Sequence, residues 1–141
     1  MGWAAVGMWL AALTTYDLRQ RRLPDILTLP GALLVLCWAA YWGRGVTALT
    51  GALALFGIYL IIHLAVPGHL GAGDVKLALG VGALTGAFGA DVWALAALAA
   101  PLVTATWALT ARLFGRTDPV AHGPAMCVAS AVAVVLAVGW I

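Results

Sequence analysis

Glutamate is missing from the 141-residue chain, lysine occurs once, and Asp, Glu, Lys and Arg together make up 9% of it. An ordinary soluble domain carries about 25%, so a water-exposed globule is excluded, because too little charge is present to solvate its surface. The same shortage of polar residues excludes a disordered chain. The seven basic residues stand singly or in one small group. They form no stripe that could track a phosphate backbone, which argues against nucleic-acid binding. The two cysteines, Cys37 and Cys127, lie inside apolar runs, with no CxxC and no Cys/His cluster. Neither a zinc site nor a disulfide framework is expected, and both thiols read as packing residues.

What the chain has is apolar length. Hydrophobic residues make up 65% of it, and at roughly 20 per crossing they suffice for about four to six spans. Breaks in apolarity place these at residues 2–16, 26–42, 46–66, 75–88, 92–111 and 124–141. The expectation is an all-α, polytopic membrane bundle of about six transmembrane helices, forming one domain over residues 1–141 with no internal repeat. The first run lacks a basic leader and is followed by arginines rather than by a small-residue cleavage site, so it reads as a retained helix. The first and fourth spans are short for a ~30 Å bilayer, which implies packing against longer neighbours. Gly80, Gly82, Gly86 and Gly89 suit the fourth span to a central position, where small residues let backbones approach. The seven tryptophans fall mostly near predicted span ends, as expected of headgroup anchors.

Arg19, Arg21, Arg22, Lys76, Arg112 and Arg116 lie on connections of one side, and Arg44 alone on the other. The positive-inside rule then puts the stretches around 17–25, 67–76 and 112–123 in the cytoplasm and both termini outside.

Each of the five aspartates needs a reason, since an unpaired carboxylate beside hydrocarbon is costly. Asp91 and Asp118 fall in loops and read as solvated turn residues. Asp17 stands where the first span leaves the membrane, and Asp74 where a glycine-rich approach meets the fourth. The topology puts both at the same face. Two carboxylates held close cannot both ionise readily. The pair shares a proton, and one member can act as general base on a water while the other acts as acid, with no metal or cofactor needed. Gly71 and Gly73 are expected to adopt backbone angles barred to other residues and to leave room for a peptide strand. The plainer alternative is that Gly-x-Gly-Asp is a loop ending in a helix cap.

Gly71-Ala72-Gly73-Asp74-Val75-Lys76 resembles the GxGDxK signature of type IV prepilin peptidases, membrane aspartic peptidases related to archaeal preflagellin peptidases and, through GxGD, to presenilin-type proteases. Asp17-Leu18-Arg19-Gln20-Arg21-Arg22-Leu23-Pro24-Asp25 is similar to the family's first motif, an Asp followed by a basic stretch and Ile-Pro-Asn. His122-Gly123-Pro124 resembles the apolar-Gly-Pro element that opens the family's last helix. The resemblance implies that Asp17 and Asp74 are the catalytic pair, with Gly71, Gly73, Lys76, Arg19, Pro24 and Asp25 in supporting or substrate-binding places. It further implies a bacterial plasma-membrane enzyme that cuts the basic leader of a prepilin or pseudopilin bearing a transmembrane helix. Asp25 stands where the family more often has Asn; it adds a carboxylate eight residues from Asp17 and opens a rival dyad that uses Asp25. The CxxC-bearing region of longer, bifunctional members is not seen here. The resemblance is therefore to the short peptidase-only form of tight-adherence (Flp) pili, with neither N-methylation nor S-adenosylmethionine expected.

Arg19, Arg21 and Arg22 serve topology and anionic headgroups in the simplest reading. The functional alternative has Lys76 or Arg19 orienting the substrate or holding an aspartate ionised. His63 and His69 read as interface residues. Two rivals to a peptidase are a small proton- or ion-coupled carrier and a non-enzymatic component of a pilus or secretion machine. The first lacks midplane charges and inverted repeats, and the second leaves the two motif aspartates unexplained.

Overall fold

The computed structural model describes residues 3–139. It contains α1 (Trp3–Gln20), α2 (Asp25–Tyr41), α3 (Gly45–Ala65), α4 (Ala72–Gly86), α5 (Ala90–Leu113) and α6 (Gly123–Gly139), with no strand among the described residues. Gly2, Trp140 and Ile141, at the ends of the predicted first and last spans, lie outside those residues. Two helices, α3 and α5, are long and apolar enough to cross a membrane, while α2 and α6 are apolar but shorter. Large aliphatic side chains face outward along several helices, among them Leu33, Leu53, Leu98 and Leu102.

Local chemistry sets the helix ends. Pro24 stands before α2 in an extended conformation, and its carbonyl accepts the N–H groups of Leu27 and Thr28 at 3.0 and 3.2 Å. A fixed φ of that kind suits a helix start. Gly89 precedes α5 at φ 118, a conformation open to glycine. The carbonyl of His122 accepts the Met126 N–H at 3.1 Å and begins the α6 ladder.

The fourth helix is the centre of the bundle. From Val75 onward nearly all of its residues are buried. Its most extensive seam is with α3, where a Cβ on Gly82 or Gly86 would run into the backbone of Gly51 or Thr47. That close approach is what small residues provide when lipid tails supply no hydrophobic driving force. Packed around the seam are Leu13, Val35, Leu77, Leu84 and Met126, each almost fully buried. On the far side, α1 leans on α6 and α6 on α5.

Two expectations shift. The first helix runs to Gln20 and the fourth begins at Ala72, so Asp17 lies in the last turns of α1 and Asp74 in the first turn of α4. Apolarity marks where hydrocarbon ends, whereas helices continue into polar residues until a backbone feature stops them. Trp9 is no headgroup anchor. Its indole N–H donates to the Leu27 carbonyl at 2.9 Å, and its ring packs against Gly31 and Gly80.

Candidate active site

The chain leaves α1 through Arg21, which takes a left-handed backbone conformation (φ 50) while its N–H still bonds the Asp17 carbonyl at 2.8 Å. Such a conformation costs a non-glycine residue about 1–2 kcal/mol. It turns the connection back so that Leu23, 8% exposed, docks beside Gly73, where an added Cβ would lie 3.1 Å from the Leu23 Cβ. Close packing is therefore the use of Gly73. Contrary to the sequence-based expectation, neither Gly71 (φ −70) nor helical Gly73 adopts a conformation barred to other residues, because both already belong to the start of α4. The glycine at positive φ in this stretch is Gly68 (φ 89). His63 fixes the same approach, its Nδ1–H donating to the Leu70 carbonyl at 2.7 Å.

These contacts bring the two motifs to one cavity of about 310 Å³, lined by Asp17, Asp74, Gly71, Gly73, Asp25 and Lys76 among others. Asp17 is 7% exposed, and its Oδ2 is buried with no hydrogen-bond partner. Asp74 is half-buried and open to the cavity. Gly123 at the head of α6 presses on the Asp17 carboxyl so closely that a Cβ there has no room.

Both carboxyls stand one residue outside the apolar spans, and burial raises the proton affinity of each. For Asp17 the rise is partly offset by the nearby backbone N–H of Gly123, which falls short of a full hydrogen bond to the buried oxygen. Asp74 is pushed up to about 7, first by burial and then by the charge of Asp17, against a smaller pull from the Gly71 N–H. Asp74 is the third residue of α4, so its reach back to Gly71 is half of a capping box. A pair in this state holds one proton between two sites near neutral pH, which equips it to take a proton from one reactant and give one to another. Among the described residues no group of three or more His, Cys or Asp side chains converges as a metal's ligand set would.

Lys76 reaches across to α2, where its Nζ donates to both oxygens of Asp25 at 2.7 and 2.8 Å. Lys76 is thus engaged with Asp25 rather than with either member of the buried pair. The pair is solvent-accessible, with side chains 39% and 60% exposed. Arg19 is exposed and does not line the cavity, and neither does Pro24, whose place is the start of α2. Arg21 and Arg22 do line it; their sequence reading covered only topology and lipid contact. His69 is exposed.

Four residues beside the cavity carried no role in the sequence reading. Gly123 abuts Asp17, and the ring of His122 is flanked by Tyr59 and Thr104, with Tyr59 Oη 2.7 Å from Nε2 and Thr104 Oγ1 2.6 Å from Nδ1. The His122-Gly123-Pro124 run was the available signal. It marked a helix start and left the contact with Asp17, a hundred residues away, unread.

The model of the type IV leader peptidase family matches residues 4–138 of the chain. No curated protein and no solved structure matches it.

Proposed function

From the premise that this chain belongs to the type IV leader peptidase family, we propose that it is an aspartic endopeptidase whose dyad is Asp17 and Asp74. The observation that carries this reading is the meeting of the two carboxyls in one cavity, where neither has a cationic partner and the charge of Asp17 acts on Asp74.

In the mechanism, the ionised member of the pair takes a proton from a water held between them. The resulting nucleophile adds to the carbonyl carbon of the scissile peptide, and the protonated member gives its proton to the carbonyl oxygen. Collapse of the tetrahedral intermediate breaks the C–N bond, and the proton gained from water passes to the leaving amine. The substrate is the basic leader of a prepilin-like protein, cut just before its hydrophobic helix.

The bilayer placement belongs to the same proposal. Six helices cross or enter the membrane, the cavity opens on the cytoplasmic side, and both termini lie outside. This is supported by the basic residues gathered on that side and by the apolar exterior. The substrate's own helix docks laterally against the bundle, so prepilins with a polar residue in that helix are expected to be cut poorly. Equal cleavage of such variants would count against lateral docking.

The deciding experiment reconstitutes the protein in liposomes with a type IV prepilin and follows leader loss by mass spectrometry. Asp17→Asn and Asp74→Asn are expected to lower the initial rate of cleavage at least about 100-fold while Asp25→Asn retains it. A near wild-type rate after either of the first two changes would overturn the dyad.

A further inference from the structure

A polar cluster beside the cavity takes no part in the chemistry above. His122 is the last residue before α6, and Thr104 and Tyr59 hold its ring from α5 and α3. The Thr104 hydroxyl already gives its hydrogen to the Ala100 carbonyl at 3.0 Å, so toward the ring its oxygen accepts, and Nδ1–H donates. Tyr59 O–H then donates to Nε2, completing one chain from α3 through the imidazole to α5. Burial favours the neutral ring that this chain uses and lowers its proton affinity. The Tyr59 and His122 rings also pack at a tilt, with centroids 5.6 Å apart.

The next residue along the backbone is Gly123, pressed on the Asp17 carboxyl with no space for even a methyl group between them. Pro124 follows it and restricts the backbone further. The ring contacts of His122 and the Gly123 contact sit on adjacent residues of one backbone, so a shift of one is passed to the other.

We propose that His122 is a positioning residue: by bridging Tyr59 and Thr104 it holds Gly123 against Asp17, and so fixes where the Asp17 carboxyl stands relative to Asp74. This rests on the reading of Asp17 and Asp74 as the dyad. His122 touches no reacting atom itself. Its contribution is the placement of one carboxyl, and a displacement of about 1 Å at such a group can cost on the order of 100-fold in rate.

The test has two arms. In the first, initial rates of prepilin cleavage are compared for wild type, Asp17→Asn, His122→Phe, Thr104→Val and Thr104→Ser. His122→Phe keeps an aromatic ring without its nitrogens and is expected to lower kcat roughly 10- to 100-fold with little change in KM. Thr104→Val removes one bond at nearly constant shape and lowers kcat less, and Thr104→Ser, which keeps the hydroxyl, recovers most of the loss. Wild-type kcat in His122→Phe, or equal losses in the Val and Ser variants, overturns the proposal. Full cleavage by Asp17→Asn would instead sink the dyad reading.

The second arm needs no substrate. The carboxyl carbon of Asp17 is followed by NMR as pH is varied. Loosening Gly123 admits water and also withdraws its N–H, but burial is the larger of the two influences on Asp17, so in His122→Phe the Asp17 midpoint is expected to move down toward the ordinary carboxylate range, with Thr104→Ser staying near wild type. An unchanged midpoint overturns the proposal whatever the cleavage assay gives. Should His122→Phe fail to fold, Thr104→Val carries both readouts.

Discussion

The floor and the rim of the cavity treat carboxylates in opposite ways. On the floor, Asp17 is buried and Asp74 half-buried in the bundle, the charge of Asp17 acts on Asp74, and both have only backbone N–H groups to offset burial. On the rim, Asp25 is 60% exposed and receives two hydrogen bonds from Lys76. All three aspartates lie in motifs on the same side of the molecule, so residue type and sequence neighbourhood do not separate their roles. The environment does. Burial without a cation keeps a proton on the floor near neutral pH, as general acid–base chemistry requires, whereas a solvated ion pair ties two backbone segments together.

If that contrast is sound, removing floor and rim charges should have very different costs. Asp17→Asn and Asp74→Asn are each expected to lower kcat about 10²- to 10⁴-fold, with the helical content seen by circular dichroism unchanged. The same change at Asp25 should cost no more than about fivefold, in keeping with a surface pair worth at most about 1 kcal/mol. A loss at Asp25 comparable to that at Asp17 would erase the distinction.

A smaller effect is expected from crowding the floor. Gly123→Ala drives a methyl group into the Asp17 carboxyl, and overpacking of this kind typically costs about 1–3 kcal/mol. The melting temperature should fall, and the displaced carboxyl should lower kcat with KM nearly constant. Alanine at Gly57, where nothing lies near an added Cβ, is the control. Equal stability of the two variants would mean that α6 is free to move away from Asp17.

The pH dependence of stability sharpens the contrast further. The native Asp74 carboxyl binds its proton more tightly than the unfolded one, whose ordinary value is 3.8. Its protonated form therefore favours the folded state. That contribution is full below about pH 4 and fades as pH rises through about 7, the folded value. Asp74→Asn, which is neutral throughout, should gain stability relative to wild type as pH rises from about 4 to about 7, readable as a difference in melting temperature. Cleavage by wild type should decline as pH rises through about 7, as the shared proton is lost. A pH-independent stability difference would show that Asp74 is as well solvated as the rim.

Much of this was legible in the sequence because it depends on composition and on short motifs. Apolar runs separated by short polar or glycine-containing breaks lead to the six helices, and the glycines of the fourth run lead to its central place. The bias of basic residues and the two Asp motifs suffice to expect Asp17 and Asp74 at one end of the bundle. The contacts that make a floor of that end were not legible. Gly123 against Asp17, and His122 between Tyr59 and Thr104, join helices far apart in the chain through single residues, with no period for a pattern to reveal. Arg21 illustrates a different gap. A left-handed turn usually announces itself by glycine or asparagine, and an arginine at that position gives no such sign. Lys76 escaped for a third reason. Spacing within its own motif excludes a pair with Asp74 on a helix face but says nothing of Asp25, which arrives from another helix.

The finest test concerns the rim itself. Lys76 and Asp25 join α4 to the start of α2, beside the point where Leu23 already docks on Gly73. Apolar packing and the ion pair hold the same two segments together, and the packing is the buried element. A double-mutant cycle of Asp25→Asn and Lys76→Gln should therefore give a coupling of roughly 0.2–1 kcal/mol. It should shrink when salt is raised toward 1 M, since the Debye length there is only about 3 Å. Leu23→Ala, by contrast, should cost about 2–5 kcal/mol, as deletion of a buried leucine does. A salt-insensitive coupling well above 1 kcal/mol would mean that the pair is shielded from water in the membrane-bound protein. Asp25 would then belong with the floor, and its substitution should begin to cost activity as the other two do.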